Sequence, residues 1–301
     1  MAGTRKILSR IRSAKNISQI TKAMEMVSAS KMKKAQEAAL NGQPYSIHLR
    51  QIISSLLALN KSVNHPLINE VVKFELKTNL CICVTTNKGL CGGLNTNHFR
   101  MINRWLKENP DTDFITIGKK GRMFLAAIGV NIIADFSDLP ENIYFEQTLT
   151  ISRYIQELFR GKQYQKIYLS FNHFISTLAQ KPKLVQILPI DPHSLKDEDL
   201  GLLKELDEEQ EQKFQTKEYI IEPNAKTIIH WLLPYFVELQ LYHFLLENKA
   251  SEHSARMVAM KNASQNAQDV MKQLRLVYNK MRQQQITMEL ADIITATSSI
   301  Q

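Results

Sequence analysis

A glycine-rich loop that directly follows an apolar run is the first stretch of the sequence that could perform chemistry. Residues 85–95 read TTNKGLCGGLN and place Lys88 beside Gly89, Gly92 and Gly93. A loop of this kind between a strand and a helix often holds a phosphate, because backbone N–H groups and a helix N-terminus attract anions. The question is therefore whether this loop binds a nucleotide.

The order of the lysine and the glycines argues against a nucleotide site. In a Walker A loop the lysine follows the last glycine, so that it reaches the outer phosphates. Here Lys88 precedes the glycines, and their spacing is not the G-x-G-x-x-G of a dinucleotide fingerprint. The sequence favours a tight turn or a protein-contact loop, whose residues are Lys88, Gly89, Cys91, Gly92 and Gly93.

No other group of residues points to catalysis or to a cofactor. Cys81 and Cys83 lie on one face of a predicted strand and His98 follows, but this spacing matches no common zinc site. The sequence lacks the H-E-x-x-H and G-x-S-x-G motifs. Three cysteines are too few for a disulfide framework, which indicates a reducing compartment. We therefore predict no catalytic residue, no metal and no cofactor.

The positive charge of the chain is concentrated at its two ends. The formal net charge is +9; residues 1–40 carry +7 and residues 249–301 carry +3, which leaves −1 for the middle. Whatever binds the two ends is therefore predicted to be acidic. Both an acidic protein surface and the phosphates of a nucleic acid meet that condition.

Each end of the chain is predicted to form a long helix with a narrow apolar stripe. Residues 4–41 and 235–301 contain neither glycine nor proline, and apolar residues recur there in steps of three and four. Two such stripes can bury each other in a coiled coil. Its predicted core consists of Ile17, Ile20, Met24 and Val27 in the first helix and Val270, Leu274, Val277 and Met281 in the second.

Two interruptions affect these helices. Gly42 and Pro44 allow either a kinked continuous helix or a helix–break–helix. After Met281 the apolar phase slips before it resumes at Ile286, which predicts a local change of supercoil. The most apolar stretch, residues 228–234, is too short to span a bilayer, so no direct membrane insertion is expected.

The middle of the chain alternates between predicted strands and helices. The strands lie at 80–86, 114–118, 130–134, 166–171 and 184–190, and the helices at 95–109, 122–128 and 145–160. This alternation is typical of βαβ units and a largely parallel, layered sheet. The predicted domains are an N-terminal helix at 1–65, a Rossmann-like α/β domain at 75–192, an acidic connecting segment at 193–222 and a C-terminal helix at 223–301. Because a whole domain connects the two helices, an antiparallel pair is the simplest arrangement.

Three segments strongly resemble the gamma subunit of the rotary ATP synthase. They are ITKAMEMVSASKMKKAQ at 20–36, NKGLCGGLN at 87–95, and ASEHSARMVAMKNAS at 250–264 with LVYNKMRQQQITMELADII after it. They occur in the order of the family, so the resemblance covers essentially the whole chain. Departures are small: Asn87 stands where an aspartate is common, and Ala296 where a glycine is frequent.

The resemblance implies a non-catalytic rotor subunit rather than an enzyme. In that family the terminal helices form an axle inside a ring of alternating alpha and beta subunits, and the α/β domain sits on the membrane c-subunit ring with the epsilon subunit. The implied function is to couple proton flow to ATP synthesis or hydrolysis at the beta subunits. The implied location is a peripheral membrane complex on the cytoplasmic face of a bacterial inner membrane. A basic coiled-coil protein that binds nucleic acid is the alternative.

The resemblance also implies four residues that contact the ring. Met24 resembles the axle position that passes the moving lever of a beta subunit, although it also lies on the predicted core stripe. Arg256 and Gln283 resemble positions that pair with an acidic loop of the ring, and Thr287, one helical turn beyond Gln283, resembles a partner in the same contact. The sequence leaves open which glutamine of residues 283–285 faces the ring.

Overall fold

The central strands and helices have the predicted order. A computed structural model describes residues 2–59, 65–68, 79–191, 221–222 and 224–298. The elements in chain order are α1 (Ala2–Leu59), β1 (Asn79–Val84), α2 (Leu94–Glu108), β2 (Thr112–Ile117), α3 (Lys119–Ala127), β3 (Ile132–Asp135), α4 (Phe145–Arg160), β4 (Lys166–Phe174), β5 (Gln180–Leu188) and α5 (Ala225–Ser298). The predicted acidic segment at 193–222 lies outside the described residues, apart from 221 and 222.

The terminal helices are longer than the regions free of glycine and proline. α1 runs through Gly42 and Pro44 as one helix, which decides between the two alternatives for this region. Gly42 is required for packing, because a Cβ atom there would lie 2.8 Å from the ring of His243. α5 begins at Ala225 and includes Pro234, whose carbonyl oxygen accepts a hydrogen bond of 3.1 Å from the Gln156 side chain.

The five strands form one mixed sheet in the order β3-β2-β1-β4-β5. The pairs β3–β2, β2–β1 and β1–β4 are parallel, whereas β4–β5 is antiparallel. From β1 the chain adds β2 and β3 on one side of the sheet and then β4 and β5 on the other, so the strand order reverses between β1 and β4. In open α/β sheets, ligands bind outside the carboxyl ends of the strands at such a point. The glycine-rich loop follows β1 and therefore lies at this edge.

Helices cover both faces of the sheet. One face packs against α1, α4 and the first part of α5, in a core that includes Ile53, Ile82 and Phe244. The other face packs against α2 and α3, and its core contains Cys81, Cys83, Ile102, Phe114 and Leu125. Because successive strand residues point to opposite faces, alternate residues of β1 belong to different cores. The fold is therefore the predicted one, with long terminal helices and a central α/β sheet.

The chain divides into two compact units. The first comprises Met1–Ala29 and Arg256–Gln301, and the second comprises Ser30–Ala255. α1 and α5 both contribute to both units, so the division does not follow the ends of the helices. Within the part of the chain that the structure describes, no helix is long and apolar enough to cross a membrane.

Candidate functional site

The glycine-rich loop is fastened to the start of α3. Thr85 makes this connection: its N–H donates to the Ile117 carbonyl over 2.7 Å, and its hydroxyl oxygen accepts the Gly121 N–H over 2.8 Å. The same hydroxyl donates to the Gly118 carbonyl over 3.2 Å. The Gly121 N–H lies in the first turn of α3, where an anion could bind it, but it is already bonded to Thr85.

Two asparagines complete this internal pairing. The Asn87 side chain accepts the Lys119 N–H and donates to the Ser137 carbonyl, both over 3.0 Å. Asn95 donates to the Thr86 hydroxyl over 2.7 Å, and that hydroxyl donates to the Lys88 carbonyl over 2.8 Å. These bonds hold the loop closed on itself, which is the geometry of a tight turn rather than of a phosphate cradle.

The cavity beside the loop is too small for a nucleotide. It measures about 10 Å³, and its lining includes Thr85, Gly118, Ser137 and Asn248. A water molecule needs about 10–15 Å³ of such volume. Ligand sites usually measure several hundred Å³. The space at the carboxyl edge of β1 therefore fits at most about one water molecule.

The thiols of β1 belong to the core. Burial raises the pKa of Cys83 to about 12 and raises that of Cys81 well above its ordinary value. Both thiols are therefore protonated at neutral pH, whereas a nucleophile or a metal ligand must be a thiolate. Among the described residues, no group of three or more His, Cys, Asp or Glu side chains could hold a metal ion.

We predict that Gly118→Ala strongly destabilises the α/β domain. Gly118 has a φ of +112°, and a Cβ atom there would lie 2.3 Å from the Thr85 carbonyl oxygen, so the backbone must move. The expected loss in the free energy of unfolding is about 2 kcal/mol or more. Urea unfolding measures it. Gly89→Ala is the matched control, because no atom lies within 4 Å of the position that its Cβ would take, and an equal loss in both variants would contradict the prediction.

His98 gives the α/β domain a dependence on pH. It is fully buried in α2, near the Asn172 side chain, and burial lowers its pKa from 6.5 to about 4. Between these two values the unfolded state binds more protons than the folded state, so stability falls as the pH drops from 6.5 towards 4.

Once His98 is fully protonated in the unfolded state, its lowered pKa in the folded state is expected to reduce the free energy of unfolding by about 3 kcal/mol. Urea midpoints compared near pH 7.5 and near pH 4.5 measure it, in the wild type and in His98→Gln. The variant should lose less stability on acidification than the wild type does. Identical pH dependence of the two proteins would contradict the assignment.

The two helices of the first unit contact each other at a pair of serines. Ser18 and Ser264 are buried, and their hydroxyl oxygens lie 3.3 Å apart. The Ser264 hydroxyl also lies 3.3 Å from the Ser18 carbonyl oxygen, to which it can donate. The least exposed positions of α1 recur in alternating steps of four and three at 14, 18, 21, 25 and 28. In α5 the corresponding positions are 267, 271, 274, 278, 281 and 285.

This seam agrees only in part with the predicted coiled-coil core. Five of the predicted core residues are about half exposed: Ile17, Ile20, Val27, Val270 and Val277. Met24, Leu274 and Met281 are half-buried. The strict seven-residue period favours a left-handed coiled coil. Small residues make most of the seam in α1, whereas the seam of α5 includes Leu274 and Met281, which belong to the predicted core.

The seam keeps its regular spacing for one position beyond Met281. Gln285 takes the next seam position at the regular spacing of four, and its side chain donates to Glu289 over 2.9 Å. The predicted slip rests on apolar residues alone. A glutamine continues the seam where an apolar side chain was expected.

The four residues predicted to contact a partner lie in different environments. Gln283 and Thr287 are exposed, and the Thr287 hydroxyl donates to the Gln283 carbonyl over 2.9 Å. Met24 is half-buried. Arg256 is only 7% exposed, so most of this side chain is covered by the chain itself. Only Gln283 and Thr287 present their side chains to solvent, as a contact with a partner requires.

Sequence reasoning missed an apolar surface on the first unit. Large apolar side chains that are at least about half exposed occur on both helices: Ile17, Ile20, Met26, Val27, Val270, Leu276, Val277, Met288, Leu290, Ile293 and Ile294. Exposed apolar surface on this scale is typical of a binding surface. The signal that could have revealed it is the stripe of small residues in α1, at Ala14, Ser18, Thr21 and Ser28, beside the apolar stripe.

Comparisons with known proteins agree over the full length of the chain. A family model described as ATP synthase matches residues 3–300. An ATP synthase gamma chain of Cupriavidus pinatubonensis is 40% identical over 304 residues, with all of both chains covered. One of Dehalococcoides mccartyi strain 195 is 39% identical over 303 residues, again with full coverage of both.

Solved structures show the same fold. The central stalk and c-ring structure of the Tetrahymena thermophila mitochondrial ATP synthase contains a chain that is 25% identical, with a TM-score of 0.57; 81% of this chain and 99% of that chain are covered. A rotor chain of the Euglena gracilis mitochondrial ATP synthase is 20% identical, with a TM-score of 0.63, and 95% of this chain and 99% of that chain are covered.

Proposed function

The chain belongs to the ATP synthase gamma chain family, and from this premise we propose that it is the rotor shaft of the catalytic sector. It couples proton flow through the membrane rotor to ATP synthesis or hydrolysis at the beta subunits. The chain itself performs no catalytic step in this proposal. The internally paired glycine-rich loop and its small cavity support that part.

The observation that carries the proposal is the surface of the first unit. Small residues of α1, such as Ser18, lie in the seam between the two helices of this unit, and many large apolar side chains of both helices face outward. A shaft enclosed by a ring needs such an outward apolar surface, because it is the outside of the helix pair that meets the partner. Burying one of these side chains against the ring contributes about 1.5–3 kcal/mol.

The charge of the chain supports an acidic protein ring rather than a nucleic acid. Most of the positive charge lies in the first unit, where residues 1–29 carry +5 and residues 256–301 carry +3 of the net +9. Many exposed Ile, Leu and Val side chains share that unit, whereas nucleic-acid surfaces are mainly basic and polar. Membership of the ATP synthase gamma chain family leaves the nucleic-acid alternative without support.

The remaining partners follow from the rotor role. We propose that the alpha and beta subunits surround the helices, and that the α/β domain, with the loop at Lys88, Gly89, Cys91, Gly92 and Gly93, meets the epsilon subunit and the c-subunit ring. The complex is then peripheral to the cytoplasmic face of a bacterial inner membrane. The bacterial relatives support this location. The proposed direct contacts with the ring are the exposed Gln283 and Thr287, and we propose that the half-buried Met24 and the buried Arg256 reach the ring by turning outward in the complex.

Reconstitution tests the proposed function. The purified chain is mixed with the alpha and beta subunits of the same organism, and complex formation and ATP hydrolysis are measured. We expect a stable complex whose hydrolysis depends on the chain. A well-folded chain that neither associates with the two subunits nor changes their hydrolysis would overturn the proposal.

Gln283→Ala is expected to weaken the action of the shaft without unfolding it. Its side chain is exposed, and the loss of one hydrogen bond to the ring should reduce ATP turnover about two- to tenfold. Gln284→Ala, measured in parallel, decides which exposed glutamine makes the contact. The matched control is Gln163→Ala, an exposed glutamine of the α/β domain. Turnover equal to the control in both shaft variants would remove the assignment.

A further inference from the structure

Four polar side chains on one face of α5 are buried in the second unit. They are Glu247, Asn248, Ser251 and Ser254. Their spacing places them on a single side of the helix. Buried polar groups carry a large desolvation cost unless they form hydrogen bonds. The partners of this group therefore indicate what the helix face is for.

The partners lie at the end of β4, where β1 no longer covers it. In the parallel pairing of these strands, the last matched residues are Cys83 and Ser170. The edge of β4 that faces β1 consequently has open backbone groups beyond Ser170. Since strand residues two apart direct their backbone groups to the same side, the groups of Asn172 and Phe174 lie on one edge.

Side chains of α5 take the place of the missing strand. The Asn172 N–H donates to the Asn248 side-chain oxygen over 3.0 Å, and the Ser251 hydroxyl donates to the Asn172 carbonyl over 2.7 Å. The Phe174 N–H donates to the Glu247 carboxylate over 3.1 Å. Three backbone groups of the open edge are thus satisfied by one helix.

Additional bonds extend this contact to the β4–β5 turn. The Asn172 side chain also donates to Asn248 over 3.1 Å, and the Glu247 carboxylate pairs with the His173 ring. The Ser254 hydroxyl donates to the Thr177 carbonyl over 2.7 Å. We call Glu247, Asn248, Ser251 and Ser254 with these partners the polar clamp.

We propose that the polar clamp is the torsional joint through which α5 and the α/β domain turn together. Apolar contacts are non-directional and tolerate rotation of a helix about its own axis. Hydrogen bonds weaken steeply when their angles change, so bonds from four helix positions to one strand and its turn fix the rotation of the helix. α5 continues from the clamp into the first unit, which is the proposed shaft. The inference rests on the proposed rotor function.

The clamp is tested in the assembled complex with the double variant Asn248→Leu/Ser251→Ala. Leucine has the same branching and the same number of non-hydrogen atoms as asparagine, and alanine lacks only the hydroxyl of serine. The two substitutions remove the bonds of these side chains to Asn172. A bead is attached to exposed Lys107 of the α/β domain, and its angular fluctuations are recorded in a complex stalled with bound nucleotide. The angular variance is expected to rise about twofold or more, because the directional restraints on α5 are lost. Asn262→Leu, an exposed asparagine of α5, is the matched control.

ATP hydrolysis separates this inference from the proposed function. The double variant should still support hydrolysis by the alpha and beta subunits, whereas ATP synthesis in energised vesicles should fall several-fold. A wild-type chain that fails to join the ring overturns the rotor function itself. A wild-type chain that joins it, together with a double variant whose angular variance equals that of Asn262→Leu, overturns only the clamp.

A second variant covers the case in which the double variant does not fold. Ser254→Ala removes the bond to the Thr177 carbonyl and the bond that the hydroxyl accepts from the Gln180 side chain, but leaves the bonds to Asn172. It is measured in the same complex with the same bead. Its angular variance should exceed the wild-type value, and Ser254→Thr, which keeps the hydroxyl, should restore it. Wild-type variance in Ser254→Ala would overturn the proposal.

Discussion

Ser18→Leu is expected to force apart the two helices of the first unit and to remove the ability of the chain to support ATP hydrolysis. Ser18 is 8% exposed, and its hydroxyl lies 3.3 Å from that of Ser264. Extra methylene groups in a closely packed site cost about 1–3 kcal/mol. The Ser264 hydroxyl also loses the Ser18 hydroxyl as a partner and, once the helices are forced apart, the carbonyl of residue 18, which costs about 1–3 kcal/mol more.

The large expected effect of Ser18→Leu follows from the close contact between the small side chains of Ser18 and Ser264. A loss of about 3 kcal/mol in helix pairing reduces the population of the paired state by roughly a hundredfold. Urea unfolding followed by circular dichroism should show an early transition of the terminal helices, and hydrolysis by the reconstituted complex should fall at least about tenfold.

Two further changes in α1 make the Ser18 prediction specific. Ser13→Leu is the same substitution at an exposed position of the same helix, and it should change the free energy of unfolding by less than about 0.5 kcal/mol. Ser18→Ala removes the hydroxyl but keeps the close approach, so its cost should be about 1 kcal/mol. Equal behaviour of Ser18→Leu and Ser13→Leu would show that the seam does not lie at Ser18.

The central domain was largely predictable because its signals are local. The helix predicted at 145–160 coincides with α4, and the predicted strand at 80–86 is close to β1. The hydrophobic pattern of a short stretch of sequence is enough to indicate a strand or an amphipathic helix. The β4 strand extends to Phe174, beyond the predicted end at residue 171, because β5 pairs with it as far as Gln180, and α5 side chains cover its other edge there. That edge contact could not be read from β4 alone.

Proline residues make the extent of the long helices difficult to predict. Proline in a helix interior removes one backbone hydrogen bond, which makes a helix end a reasonable expectation. Pro234 nevertheless lies inside α5, where the flanking residues Leu233, Phe236 and Val237 are buried in the core. Packing on both sides of the proline stabilises the helix more than the missing bond destabilises it. Pro44 in α1 is likewise followed by core residues, at positions 49 and 53.

The seam and the polar clamp were not predictable from the sequence for a common reason. A prediction from apolar stripes assumes that the largest apolar residues mark the buried face, and this fails when a second surface must bind a partner. In the clamp, Asn248 is paired with Asn172, which lies 76 residues earlier in the chain. Polar residues in an otherwise apolar part of α5 indicate buried partners, but nothing local identifies them.

Ile20→Asp is expected to leave the chain folded and to weaken its association with the alpha and beta subunits by roughly a hundredfold or more. Ile20 is 60% exposed, so its replacement should change the free energy of unfolding by only about 0.5 kcal/mol. In the complex the same side chain is proposed to be buried. Its loss removes about 1.5–3 kcal/mol of apolar burial, and an unpaired carboxylate must be desolvated in addition.

The apolar and electrostatic parts of this effect separate with two further variants. Ile20→Asn removes the apolar side chain without adding charge, and its affinity for the ring should lie between those of the wild type and Ile20→Asp. Leu178→Asp makes the same kind of change at an 82% exposed position of the α/β domain, outside the helices of the first unit, and should leave the affinity unchanged. Binding titrations with alpha–beta complexes measure all four proteins. If Ile20→Asp and Leu178→Asp bind alike, the outward apolar surface is not the surface that meets the ring.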